Sequence, residues 1–404
     1  MLILKLAIVF AVVMAIVAMK KPMSFAVVVG SIVTWVLYGL PTNEVLVMTY
    51  NALTAMSTLK VILVMYLITF MQRMMEKRGA IERARIGLSR LFNNRWVNCV
   101  VAPICIGMLP SPNAAFIAGD MVSASAGEYL DKGQQAVTTT FFRHITEAFM
   151  PTYNAIILAL ALTGISAAGF VIGMLPMVAT LIILGMIFFL KGKVPTETGL
   201  EPSENKSNDI KDIVYGVWAI FLDIILIVGF GLDVVVATAI VLVLYFLVNK
   251  FTPAEVMPYF LSAFESKIVF NTLAVMTFKE LLMATGSLEA LPDFFSRLPI
   301  PTFLVFVLIF LVGTLVAGSL TMVATVLPIA MATIPGAGLP LVVLLMSTTY
   351  VAMQVSPTHI CLSIVAEYFN VSLGDIIKRT VPLLCVFMVI AVAYYLGCTM
   401  LFAE

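Results

Sequence analysis

Residues 191–211 read KGKVPTETGLEPSENKSNDIK, and this stretch is the clearest polar segment of a strongly apolar chain. Of the 404 residues, 62% are hydrophobic and 11% are charged, whereas a soluble domain carries about 25% charged residues. The segment combines charged residues with Pro, Gly and Ser, a composition typical of linkers. It therefore predicts a linker between two halves of similar length, residues 1–190 and 212–404.

Apolar runs fill both halves on either side of this linker. Each run is about 16 to 20 residues long, which is enough to cross about 30 Å of hydrocarbon. The first run, residues 2–19, has no small-residue cleavage site before Lys20-Lys21-Pro22, so we interpret it as a span and not as a signal peptide. We expect an all-α polytopic membrane protein.

The remaining composition excludes several function classes. A net charge of +1 argues against a nucleic-acid partner. The five cysteines lie in apolar runs without a C-x-x-C pair, and H-E-x-x-H is absent, so we expect neither a disulfide framework nor structural zinc. No enzyme motif stands out, and we expect a protein that is not an enzyme and binds no cofactor.

The two halves resemble each other at a nearly constant offset. Lys60 and Lys267 stand 207 positions apart, and Pro151 and Pro357 stand 206 apart. The order of apolar, amphipathic and broken segments also recurs. Such self-similarity predicts two structural repeats.

Each half is expected to contain five spans, one hairpin and one broken helix. The spans are predicted at about 2–19, 23–40, 45–72, 135–163 and 167–190, then at about 212–230, 233–249, 256–283, 341–368 and 376–401. Small residues and proline interrupt the apolar segments at about 97–125 and 300–334, which predicts a re-entrant hairpin in each half. The broken helices are those at about 135–163 and 341–368, each containing a proline. This gives about ten transmembrane helices and two re-entrant hairpins.

Charge distribution predicts that the repeats are inverted. Residues 73–95 carry seven basic and two acidic residues, whereas the corresponding residues 286–299 carry one basic and two acidic residues. Because cytoplasmic loops are enriched in Lys and Arg, the first segment and the linker 191–211 are assigned to the cytoplasm. Both termini then lie outside, in a multi-pass protein of the cell (inner) membrane. Hairpins that crossed the membrane fully would break this pattern.

Breaks at corresponding positions of inverted repeats predict a substrate site near the membrane midplane. A half-helix that begins there offers free N–H groups and a positive dipole end to an anion, and short polar side chains can add contacts. The predicted substrate and ion contacts are Ser111, Asn113, Thr152, Asn154, Ser319, Thr321, Thr358 and His359. Carbonyls at the ends of half-helices suit Na⁺, which gives a candidate site near Met108, Leu109, Asn113 and Ser319. The alternative is that these Pro and Gly residues merely kink packed helices.

Three ionisable residues approach the first break. Arg143 and Glu147 are four residues apart, hence on one helix face, and His144 lies beside them. Ionisable groups within a span are expected to face protein or a wet cavity. We interpret them as a site for coupling or for substrate charge. An ion pair that only locks the helix is the alternative.

Three stretches resemble a known family: GMLPSPNAAFIAGDMV (107–122), FRHITEAFMPTYN (142–154) and SPTHICLSIVAEYF (356–369). They resemble the ion-transporter superfamily, which includes gluconate permeases, dicarboxylate and citrate symporters and the large membrane subunits of tripartite periplasmic transporters. The likeness to a prokaryotic branch covers nearly the whole chain. It implies an elevator mechanism with scaffold and transport domains, a homodimer, and organic anions coupled to Na⁺ or H⁺.

The predicted function is secondary active transport of a small organic anion, a carboxylate, coupled to H⁺ or Na⁺ within a lipid bilayer. A cation/proton antiporter on the same scaffold, using Asp120 and Glu147, is the main alternative. A channel, a membrane enzyme, or a subunit that needs a soluble binding protein are further alternatives.

Overall fold

The structure, a computed structural model, describes residues 2–19, 21–91, 94–108, 113–197, 206–287, 291–297, 299–334, 336–356 and 359–401. Within these ranges the regular elements are helices, and one isolated bridge pairs Asn94 with Glu197. The prediction of an all-helical fold is confirmed.

The described helices lie on either side of residues 198–205. The first half contains α1 (Leu2–Ala18), α2 (Met23–Tyr38), α3 (Thr42–Thr54), α4 (Met56–Lys77), α5 (Ala80–Leu91), α6 (Arg95–Gly107), α7 (Asn113–Ala126), α8 (Lys132–Phe149), α9 (Asn154–Thr163) and α10 (Ala167–Gly185). The second contains α11 (Lys206–Ile224), α12 (Val234–Val248), α13 (Pro253–Ser262), α14 (Ser266–Ala284), α15 (Leu291–Ser296), α16 (Thr302–Ala317), α17 (Ser319–Thr325), α18 (Leu327–Thr333), α19 (Gly338–Gln354), α20 (Ile360–Phe369) and α21 (Leu373–Leu401). Helices α10 and α11 continue as π-helical turns, Met186–Leu190 and Ile225–Gly229.

Several helical segments are long and apolar enough to cross a bilayer. Among the described residues there are five: Met56–Lys77, Lys132–Thr163, Ala167–Leu190, Lys206–Gly229 and Leu373–Leu401. Shorter apolar helices, such as α2, α12 and α16, accompany them. The chain is a multi-pass membrane protein.

Helix boundaries differ from the sequence prediction at three places. The span expected at about 45–72 is two helices, because Ala55 is extended with φ −56° and ψ 133°. The span expected at about 256–283 is also two helices, α13 and α14. Helix α11 begins at Lys206, so the last residues of the predicted linker are helical, while residues 198–205 lie outside the described ranges.

Buried apolar side chains form two clusters. The larger cluster draws on most of the helices: α1, α2, α4, α6 to α10 and α14 to α21. The smaller cluster joins the end of α4 to α5, α11 and α12, and touches α6 and α7 through Ala102, Ile106 and Met121. Phe149 and Tyr153 pack against both clusters. The interruption between α8 and α9 therefore lies where the two clusters meet.

An ion-pair network fixes the start of α8 against α21. Arg379 contacts Asp131 at 3.1 Å and Asp375 at 3.0 Å. Asp131 caps α8 and accepts from the backbone N–H of Gln134. Burial raises the pKa of the Asp131 carboxyl, but the Gln134 N–H and the Arg379 guanidinium lower it more, so the net pKa is below the usual value.

Candidate functional site

The first helix break lies between α8 and α9. Met150 precedes Pro151 and is extended, with φ −75° and ψ 120°. A proline disfavours helical geometry in the residue before it and supplies no N–H of its own. Helix α9 then starts at Asn154. Residues 150–153 thus interrupt an apolar span, as the Pro151 signal predicts.

The second helix break lies between α19 and α20. His359 precedes α20 in an extended conformation, with φ −79° and ψ 108°. Pro357 and the predicted site residue Thr358 lie outside the described residues. The Ser356 hydroxyl donates to the Leu315 carbonyl at 3.2 Å. This contact holds the second break against the end of α16.

Each broken helix packs against the predicted hairpin of the other half. Helix α9 contacts α17 and α18, whereas α20 contacts α7 and α8. A turn at Gly318, with φ 83° and ψ 162°, separates α16 from α17. The two breaks are therefore brought into one region by contacts between the halves of the chain.

Five side chains lie close together where the two breaks meet. We call them the break cluster: Arg143, His144, Glu147, His359 and Cys361. Arg143 Nη1 lies 3.3 Å from Glu147 Oε1 and 3.1 Å from His144 Nε2. His144 Nε2 lies 3.0 Å from His359 Nε2, across the two halves. Side-chain exposure is 2% for Arg143 and 9% for Glu147. Ionisable groups from both breaks are thus concentrated in a nearly dry environment.

The hydrogen bonds of His144 assign its tautomer. Its Nδ1 faces the carbonyl oxygen of Thr140, an acceptor, so Nδ1 carries the proton. Nε2 then presents its lone pair to the Arg143 guanidinium and to His359. The imidazole is held in an orientation that leaves an electron pair facing the centre of the break cluster.

The first break is also held against the predicted hairpin. The Tyr153 hydroxyl donates to the Gly107 carbonyl at the end of α6. A Cβ placed on Gly107 would lie 2.1 Å from the Arg143 carbonyl oxygen. Only glycine permits this close approach of α6 to α8, which places the hairpin end directly beside the break cluster.

The other predicted site residues lie near the breaks in different environments. Thr152 is buried, and its Oγ1 has no hydrogen-bond partner among the described residues. Asn154 is exposed at the start of α9 and, with Leu320 of α17, lines a cavity of about 10 Å³. Thr321 donates to the Ala317 carbonyl, and Ser319 begins α17 half-buried. Thr152 is the residue of this group with an unused buried polar atom.

The predicted first hairpin tip falls largely outside the described residues. Ser111 and Leu109 are outside them, and Asn113 begins α7 with a side chain whose position is not described. Met108 follows the last residue of α6. The Na⁺ site expected near Met108, Leu109, Asn113 and Ser319 stays a prediction.

A cavity of about 590 Å³ reaches the first break. Pro151 lines it, together with Ser57, Ser166 and the ion pair between Lys60 and Asp233. Lys60 Nζ and Asp233 Oδ2 are 3.4 Å apart, and both side chains are about half exposed. Arg143, His144 and Glu147 do not line this cavity. Pro151 is therefore part of both the first break and the lining of this cavity.

Comparisons with known proteins identify the family of the chain. Residues 3–398 match the family described as "Protein of unknown function (DUF401)". The chain belongs to this family. Among solved structures it is similar to the YdaH transporter of Alcanivorax borkumensis, whose crystal structure is described as revealing an unusual topology. That similarity has a TM-score of 0.48 and 15% sequence identity, and covers 89% of each chain. No curated protein matches the chain in sequence.

Sequence reasoning missed one member of the break cluster in this DUF401 chain. Cys361 was expected to be one of several cysteines in apolar runs, yet its sulfur hydrogen-bonds to the Arg143 guanidinium. A signal was present, because Cys361 follows His359 at a spacing of two directly after a predicted break.

Proposed function

We propose that this protein is a secondary active transporter that moves a small organic anion, a carboxylate, coupled to H⁺ or Na⁺. The observation that carries the proposal is the meeting of two helix breaks around the break cluster. A charged group inside a membrane protein is costly to bury and is retained mainly where it serves a pathway or a coupling step. Arg143 supplies the positive charge that a carboxylate requires.

The cavity beside Pro151 supplies a route to this region. Lys60 and Asp233 form an ion pair in its lining, and the Lys60 ammonium is half exposed and can contact an anion. Pro151 lines the cavity and Arg143 does not, so in this proposal a movement of the first break opens the way from the cavity to the Arg143 charge. Alternating access requires a state in which the binding site is closed to the solution, and a break that blocks the cavity would provide that state.

An elevator arrangement is part of the proposal. Helices α8, α9, α19 and α20, which flank the two breaks, would move with the transport domain. Helices α5, α11 and α12 of the smaller apolar cluster would belong to the scaffold, whereas α4 contributes to both clusters. The homodimer, the two inverted repeats and the inner-membrane location with both termini outside belong to the same proposal, and rest on the sequence resemblance and the charge pattern.

A cation/proton antiporter is the second candidate function. It is favoured by the carboxylate, imidazole and thiol groups that surround one point in the break cluster. In that case Arg143 would balance Glu147 and would not bind an anion. The two candidates differ in whether a carboxylate crosses the membrane.

Uptake by liposomes containing the purified protein tests these functions. Labelled mono- and dicarboxylates would be offered under an imposed Na⁺ gradient or pH gradient. Variants Glu147→Gln and Ser319→Ala would be compared with Glu44→Gln and Ser262→Ala, which make the same chemical changes at exposed positions of α3 and α13.

The proposal expects gradient-driven uptake of one anion that is lost in the two site variants and retained in the two controls. Full uptake by both site variants would contradict the assigned site and leave transport standing. Proton movement driven by a cation, without carboxylate uptake, would establish the antiporter in place of the anion transporter.

A further inference from the structure

Four side chains of the break cluster offer ligand atoms to a single point. The relevant atoms of His144, Glu147, His359 and Cys361 all lie within 4.8 Å of one another. We propose that these four residues form a binding site for one transition-metal cation of the Zn²⁺ class. This inference goes beyond the proposed function and does not depend on it, because it concerns equilibrium binding and not transport.

The donor set selects the class of metal. Two imidazoles, one thiolate and one carboxylate suit a borderline cation such as Zn²⁺ or Co²⁺, whereas Mg²⁺ and Ca²⁺ prefer oxygen ligands throughout. Four ligands also match the tetrahedral coordination that Zn²⁺ adopts in proteins. The site is therefore expected to exclude the abundant hard cations.

The separations are close to those that such coordination needs. Zn–N bonds of about 2.0 Å in a tetrahedron place two nitrogens about 3.3 Å apart. The His144 and His359 Nε2 atoms are 3.0 Å apart, and Glu147 Oε1 is 3.7 Å from His144 Nε2. The two ligand atoms that lie farthest apart must approach each other by roughly 1 Å to bind one ion, and rotation of the side chains can supply that distance.

The backbone and the outer hydrogen bonds already favour metal ligation. His144 and Glu147 are three residues apart on α8 and share a face, while His359 and Cys361 come from the second break. His144 donates Nδ1–H to the Thr140 carbonyl, so its Nε2 lone pair is directed at the centre. Metal-bound histidines characteristically make this second hydrogen bond.

In this structure Arg143 provides the positive charge at the proposed metal site. Its guanidinium contacts His144 Nε2, Glu147 Oε1 and the Cys361 sulfur, three of the four proposed ligands. A metal ion must displace these contacts, and it meets the repulsion of the guanidinium as it does so. Arg143 and the metal should therefore compete for the same ligand atoms.

Spectroscopic titration with Co²⁺ tests the site. The full chain would be purified in detergent with an affinity tag free of histidine, then titrated with Co²⁺ and back-titrated with Zn²⁺. We expect one Co²⁺ per chain, tetrahedral d–d absorption, a thiolate-to-cobalt charge-transfer band, and displacement by Zn²⁺.

Ligand variants locate the bound ion. Cys361→Ser should abolish the charge-transfer band, and His359→Ala should weaken Co²⁺ binding at least as much as the roughly 10–100-fold caused by loss of an outer-shell partner. Cys385→Ser, at an exposed cysteine of α21, is the matched control and should bind as the wild type does. Arg143→Met should bind Co²⁺ more tightly, because the competing cation is gone.

Any one of three results would contradict the metal site. The wild type would bind no Co²⁺ at micromolar concentrations, or the Co²⁺ spectrum of Cys361→Ser would equal that of the wild type. The third result is that folded Arg143→Met binds Co²⁺ more weakly than the wild type. Circular dichroism of Cys361→Ser and His359→Ala shows whether any loss of binding is simple unfolding. Failure of carboxylate uptake would leave these outcomes unaffected, so the two proposals can fail separately.

Discussion

At the scale of single residues, Arg143 and Glu147 form a buried ion pair. Both side chains are nearly dry, and their closest atoms are 3.3 Å apart. Removing one partner of a buried pair leaves an uncompensated charge and costs about 3–5 kcal/mol, whereas replacing both with apolar residues is often neutral. The pair therefore matters for stability even if neither residue contacts a substrate.

We predict that Arg143→Met and Glu147→Gln each lower the free energy of unfolding by about 3 kcal/mol. The double variant Arg143→Met/Glu147→Gln should recover most of that loss, because no unpaired charge remains. Reversible denaturation in detergent, followed by circular dichroism, measures the differences. Additive losses in the double variant would mean that the two charges do not stabilise each other. Glu44→Gln, at an exposed position, is the control.

The break cluster was only partly predictable from sequence. The four-residue spacing places Arg143 and Glu147 on one helix face, and the proline signals place His144 and His359 near breaks. Contact between His144 and His359 spans 215 positions and depends on how the halves pack, which no local pattern encodes. Cys361 was missed for the same reason, since a cysteine in an apolar run looks like a small core residue.

At the scale of elements, the turn at Gly318 decides where α16 ends and α17 begins. Its φ of 83° and ψ of 162° lie in a region that is essentially restricted to glycine. No atom lies within 4 Å of a Cβ built there, so only the backbone conformation opposes a side chain. We predict that Gly318→Ala lowers the free energy of unfolding by about 1–3 kcal/mol.

A matched control isolates this backbone effect. Gly397 lies inside α21 and also has open space around an added Cβ. Gly397→Ala should raise stability slightly, by up to about 1 kcal/mol, because alanine favours a helix over glycine. Denaturation of both variants under the same conditions gives the comparison, and equal shifts of the same sign would contradict a strained turn at Gly318.

One helix interruption was predicted at Pro151, a local breaker, and another was missed at Ala55, which is not a breaker. Pro151 sits at an observed break, as its missing N–H requires. At Ala55 the chain turns without proline or glycine, and the Thr58 hydroxyl closes the turn by donating to the Ala52 carbonyl at 2.7 Å. Neither residue is a helix breaker by composition, so the apolar run from 45 to 72 looked continuous.

At the scale of the whole molecule, ion pairs connect residues that the charge pattern assigns to the same side of the membrane. Among the described residues, the long-range pairs are Lys60 with Asp233 outside, and Arg73 with Glu265, Arg78 with Glu255 and Arg379 with Asp131 inside. An incorrect assignment of sides would be expected to place partners on opposite surfaces. The pairs agree with the proposed grouping of these segments on two sides of the membrane, whichever side faces the cytoplasm.

Cysteine labelling tests that orientation and the hairpins together. Glu44 follows α2 and is assigned outside, whereas Lys191 follows α10 and is assigned inside, and both are exposed. In a background without the five native cysteines, a membrane-impermeant maleimide should label Glu44→Cys in intact cells. Lys191→Cys should be labelled only after permeabilisation. The opposite pattern would mean that the protein has the inverse orientation.

A re-entrant hairpin returns to the side from which it entered, whereas a spanning segment ends on the other side. Labelling of both sites in intact cells would therefore mean that the region between α5 and α8 crosses the membrane once.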